Sequence, residues 1–146
     1  MSFLPQAHFD TLPPELAAAR DALVPFIGER AVTLFAYAIA DEADTLVTST
    51  FFRRILVDSG EDPDHPQVTE AEQLLIDWGR LIAHTPYGVD AGFIERVEAA
   101  FSEPVRLRLV AFAAQVVAAN AFTTIARLPL DEALYPYRSA GDDRTV

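Results

Sequence analysis

The sequence predicts an all-α bundle of six or seven helices, and three observations carry that expectation. Apolar residues recur at helical spacing, and no six-residue stretch alternates cleanly between apolar and polar. Proline and glycine punctuate the chain at intervals that suit helices. Half the residues are apolar (51%) in a chain of 146, enough to bury about two-thirds of the unfolded surface around one core.

The elements follow in order. Pro13-Pro14 opens a first helix, since proline is tolerated in a first turn, and Pro25 and Gly28 are expected to end it near Val24. A second helix runs from Glu29 to Ala40, followed by the polar joint Asp41-Glu42-Ala43-Asp44. Asp44 is placed to cap a third helix that continues to Ser59 and stops at Gly60, a residue suited to a left-handed C-terminus. The acidic, proline-containing segment Glu61 to Pro66 is a loop. Thr69-Glu70-Ala71-Glu72 has the form of a capping box, so a fourth helix starts there and runs through Trp78 to about Thr85. Trp78 shares a face with Leu74, Leu75, Leu81 and Ile82, which points to core packing. Asp90 to Phe101 reads as a shorter helix. Ser102-Glu103-Pro104 opens the longest one, Val105 to Arg127, whose apolar residues fall on most faces, as expected of a helix buried in a core or at a subunit interface. Residues 1–138 form one domain, and 139–146 are expected to be a flexible tail.

Composition narrows the chemistry. Acids outnumber bases 22 to 11, every base is arginine, and the net charge is −11. Such a chain is repelled by phosphate backbones, so no nucleic-acid partner is expected. Without lysine there is no Schiff-base nucleophile and no P-loop. Without cysteine there is no thiol, disulfide or thiolate-metal chemistry. His8, His65 and His84 are scattered without helical pairing, so neither a metal nor another cofactor is expected. No uninterrupted apolar run reaches the ~18 residues that span a bilayer; the run from Leu107 to Ala119 is broken by Arg108 and Gln115. The N-terminus lacks the basic start and apolar core of a secretory signal. Cytoplasmic residence without a membrane partner is the expectation.

One ordered set of features suggests a family. It comprises a helix from Thr45 to Gly60, the turn Gly60-Glu61-Asp62-Pro63, a capped helix from Thr69 to Thr85, Phe101-Ser102-Glu103-Pro104, and Asn120-Ala121-Phe122 in the last long helix. Over Val32 to Ala133, this order resembles the carboxymuconolactone decarboxylase and alkylhydroperoxidase (AhpD-like) family. The resemblance implies an AhpD-like bundle that assembles as a trimer or hexamer. Peroxidase members carry Glu, Cys-x-x-Cys and His on one face. Here Thr33 stands at the Glu position, Thr45 and Thr48 at the Cys positions and Phe52 at the His position, and Thr123-Thr124 replaces the family's Asn-Arg. Threonine forms no sulfenic acid and phenylalanine takes no proton, so a cysteine-based peroxidase is ruled out on this register.

Two readings remain open. In one, the Thr45–Thr48–Phe52 face is packed, with Thr45 and Thr48 bonded to carbonyls within the helix and Phe52 in the core, and the chain, with Thr33 at the family's Glu position, is a non-redox binding or assembly module. In the other, the face lines a pocket for a small carboxylated or lactone-like metabolite, and a thiol-independent enzyme uses Asp41, Glu42 and His84 as catalytic groups, with Tyr37 and Asn120 as pocket donors or acceptors. The acids ahead of the third helix also suit its dipole without any catalytic role, as does His84 at a helix C-terminus. One of Arg53 and Arg54 is expected to pair with Asp58 or Asp44. Asn120 is either an interhelical tie or a pocket donor.

Overall fold

The computed structural model describes residues 9, 11–142 and 144. Among them there are six α-helices, one 3-10 helix and no strand, the all-α bundle of six or seven helices that the sequence predicts. The elements are α1 (Pro14–Ile27), α2 (Glu29–Glu42), α3 (Leu46–Asp58), α4 (Glu70–His84), α5 (Ala91–Ala100), α6 (Glu103–Ile125) and a closing 3-10 turn, Glu132–Tyr137.

Helix α2 is the axis of the bundle. Every residue from Ala31 to Ala40 is buried, and α3, α4, α6 and α1 pack around it. Phe35, fully buried, stacks on Trp78 of α4 with ring centroids 5.4 Å apart and tilts against Phe112 of α6 at 6.3 Å. The core role expected for Trp78 holds. Helix α4 approaches α2 closely because Gly79 carries no Cβ: an added one would lie 2.9 Å from Ala38 Cβ and 3.1 Å from the Phe35 carbonyl oxygen, too near without overpacking.

Several boundaries differ from expectation, each for a local reason. Helix α1 runs past Pro25 to Ile27. The proline costs one backbone bond to Asp21, but both residues are on the exposed side of the helix, where losing that bond costs less than in the core. Gly28 ends the helix at φ 88°. Helix α2 keeps Asp41 and Glu42, so the joint shrinks to Ala43-Asp44. Asp44 takes a left-handed conformation (φ 56°) and does not cap α3; Thr45 holds that position with its side chain turned inward. Gly60 is left-handed at φ 85°, as its position after α3 predicts. The Thr69 cap forms as predicted, in a reciprocal capping box with Glu72, and Asp90, expected as the first residue of the next helix, caps it instead by accepting from the Phe93 amide. The 3-10 turn went unread, although Asp131 caps it by accepting from Ala133 N.

Helix α6, expected to be buried in a core or at a subunit interface, is covered on one face only within the chain. Leu109, Phe112, Val116 and Asn120 are buried, whereas Leu107, Val110, Phe122 and Ile125 are 69%, 53%, 52% and 74% exposed. By length and composition α6 is apolar enough to cross a membrane, with a third of its most apolar window buried; the run expected from Leu107 to Ala119, interrupted at Arg108 and Gln115, is shorter than this. At the far end, Arg144 pairs with Asp44 (3.0 Å) and Asp142 (2.9 Å).

Candidate functional site

The N-terminus of α3 brings three of the sequence-derived candidates together. Thr45 and Thr48 lie one turn apart, and their hydroxyl oxygens are 2.7 Å from each other. Asn120 of α6 meets both: Thr48 donates to its Oδ1 at 2.5 Å, and Thr45 lies 3.1 Å from it. Thr45 also donates to the Ala40 carbonyl at the end of α2 (2.9 Å). Two hydroxyl protons therefore serve a closed triangle that ties α2, α3 and α6, and Asn120 is the interhelical tie.

The remaining motif positions do not join it. Thr33 is buried and donates back to the Glu29 carbonyl within α2 (2.9 Å). Phe52, 1% exposed, packs edge-on against Phe51 at 5.5 Å. Thr48 and Phe52 are thus packed against side chains, whereas Thr33 borders a cavity of about 270 Å³ with Arg30, Ile55 and Glu61, and Thr45 borders another. The latter, of about 230 Å³, opens between Asp44, Val47, Thr124, Arg127 and Arg144. Tyr37, Glu42, His84 and Asn120 do not line it.

A second group lies on the outer side of α2. Glu42 Oε2 is 2.8 Å from His84 Nε2, and Arg80 stands 3.9 Å from the same carboxylate. Two of the three candidate catalytic residues therefore touch, on an open surface where His84 is 63% exposed. Asp41 is adjacent. Crowding by protein atoms pushes its carboxyl above the ordinary range, Arg53 pulls it down and Glu42 adds to the rise; the exposed side of the residue lets water moderate all three. Tyr37 is held by a third arrangement. Arg53, buried on α3, donates to the Tyr37 hydroxyl (2.8 Å) and forms a bidentate pair with Asp64 (2.9 and 2.7 Å). Burial raises the Tyr37 phenol, Asp41 adds to that, and Arg53 opposes it. The partner expected for one of the arginines, Asp58, is taken by Arg54 at 3.6 Å; Asp44 pairs with Arg144 instead.

Sequence reasoning missed Arg30, the hub of the acidic loop. It bonds Glu61 (2.7 Å), Glu72 (2.5 Å) and the Gln67 carbonyl. Partners 31 to 42 positions away leave no local signal. His65 is exposed beside Asp62 (3.5 Å), as a solvated loop histidine should be; His8 lies outside the described residues.

These loop contacts set an acid response. Arg30 holds Glu61 below the usual carboxylate range, and Arg53 does the same for Asp64. For Glu72, burial works upward, but the Thr69 amide and Arg30 outweigh it. A depressed folded-state pKa contributes stability that is complete above the unfolded value, near 4, and is lost as pH falls through the folded value. Asp41 works in the opposite direction. The urea midpoint is therefore expected to drop as pH is lowered from about 5 to 3, and the drop should be shallower in Arg30→Met. An equally steep drop in that variant would remove Arg30 from this role.

An apolar groove of about 700 Å³ runs between α4, α5 and α6, walled by Trp78, Ile82, Tyr87 and Ile94 and floored by Val110, Ala114 and Val117. No charged residue lines it. Compared with known proteins, the chain matches no family model, no curated sequence and no solved structure.

Proposed function

We propose that this chain is a non-redox binding or assembly module that resembles the AhpD-like family and forms a homo-oligomer, a trimer or hexamer on that resemblance. It works through the open face of α6 and the groove beside it, not through chemistry at the α3 N-terminus. The observation that carries this reading is the contrast between the two places. The motif positions are occupied by a hydroxyl–amide triangle and packed Phe52. The α6 face, by contrast, leaves large apolar side chains in water next to an uncharged groove within the 300–1,000 Å³ size of ligand sites.

A neutral naphthylamine fluorophore tests it, titrated into dilute protein. Wild type and Thr48→Val should both bind the dye with a blue shift. Ala114→Glu, which places a carboxylate in the groove, should weaken binding about tenfold or more. Equal binding by wild type and Ala114→Glu, with loss in Thr48→Val, would move the function back to the motif face.

A second reading rests on the Glu42–His84 contact. A carboxylate 2.8 Å from an imidazole is a proton-transfer pair, and a thiol-independent enzyme acting on a small carboxylated metabolite would use it. Such an enzyme would lose turnover in Glu42→Gln while keeping its melting temperature.

A further inference from the structure

We infer that the partner for the α6 face is a second copy of this chain, packed antiparallel across a two-fold axis at Val116. The inference rests on the module reading above and names its partner. Eighteen residues separate Leu107 from Ile125, five full turns, so both lie on the same side of the helix about 27 Å apart. Between them the exposed stripe is symmetric in size about Val116. Leu107 and Ile125 stand nine positions either side, and Val110 and Phe122 stand six. Closer in are Ala111 and Ala121 at five, then Ala114 and Ala118 at two. All eight are exposed. A two-fold axis makes each residue of such a stripe meet its mirror position on the other copy. Alanines then face alanines at the centre, letting the axes approach to about 8 Å, and large side chains close both ends.

Charge favours the same partner. No charged residue occurs between Arg108 and Arg127, so this face is where two copies of charge −11 meet with least repulsion. The net negative charge also disfavours an anionic lipid surface as the occupant. A two-fold contact makes a dimer alone and joins trimers into a hexamer.

The chain has no cysteine, so a cross-linking register can be read without background. Ala114→Cys and Ala118→Cys chains are purified separately, then oxidised alone and as a mixture. The antiparallel register brings position 114 of one copy beside 118 of the other. Like positions are offset by four residues, about 6 Å along the axis, which puts their Cα atoms beyond the ~7 Å limit for a disulfide. The mixture should cross-link about tenfold faster than either chain alone, and Ala111→Cys with Ala121→Cys should repeat the pattern. Faster self-cross-linking of Ala114→Cys would establish a parallel contact and overturn the inference. So would the absence of cross-links in every combination, or flotation of wild type with neutral phosphatidylcholine vesicles while it stays monomeric. If cross-linking fails but Ala114→Glu still loses the fluorophore, self-pairing through α6 falls and the binding-module part of the reading stands with another partner; if the fluorophore also fails to bind wild type, both fall.

Discussion

Phe35→Ala is expected to destabilise the chain by about 3–5 kcal/mol. Phe35 is completely buried at the middle of α2, where Trp78 and Phe112 clasp it from α4 and α6. The alanine would remove the ring's transfer free energy and leave a cavity that three helices cannot readily collapse, since α2 and α4 already touch at Gly79. In urea unfolding, the midpoint should fall with little change in slope, because the surface exposed on unfolding stays nearly the same. A loss below about 1 kcal/mol would mean that α2 is not the axis on which the bundle is built.

The second large effect concerns the triangle at the α3 N-terminus. Asn120→Ala should cost about 1–3 kcal/mol, because it leaves the Thr48 hydroxyl, 0% exposed, without its Asn120 acceptor. Thr48→Val should also destabilise, by stranding part of the Asn120 amide. The double variant Thr48→Val/Asn120→Ala should cost less than the sum of the two, since it removes both polar partners and Thr45 keeps the Ala40 carbonyl. Additive costs would show that the two side chains do not act as a unit.

Much of this fold can be read from local chemistry. The capping box at Thr69 and the glycine after α3 are signals contained within four residues, and each forms as read. Proline and aspartate misled where tertiary structure decided. Pro25 sits on an exposed side that tolerates it, and Asp44 gives up the cap because Thr45 turns inward to α6. In the site, the pairing of Thr45 with Thr48 follows from their one-turn spacing, and Asn120 stood out as a polar residue in an apolar helix. The contacts that bring Glu42 to His84, or Arg30 to Glu61 and Glu72, span 31 to 42 residues and follow only from the packing of the bundle. Helix α6 was the hardest to read. Its buried and exposed faces are almost equally apolar, so composition could not say which of them faces water.

Sedimentation equilibrium of wild type, Thr48→Val and Ala118→Glu at matched concentrations tests most directly whether this chain works through its α6 face. Wild type and Thr48→Val should associate beyond the 16.0 kDa monomer mass, while Ala118→Glu, with helical content unchanged, should remain monomeric. Monomers in all three, or association lost in Thr48→Val and kept in Ala118→Glu, would contradict it.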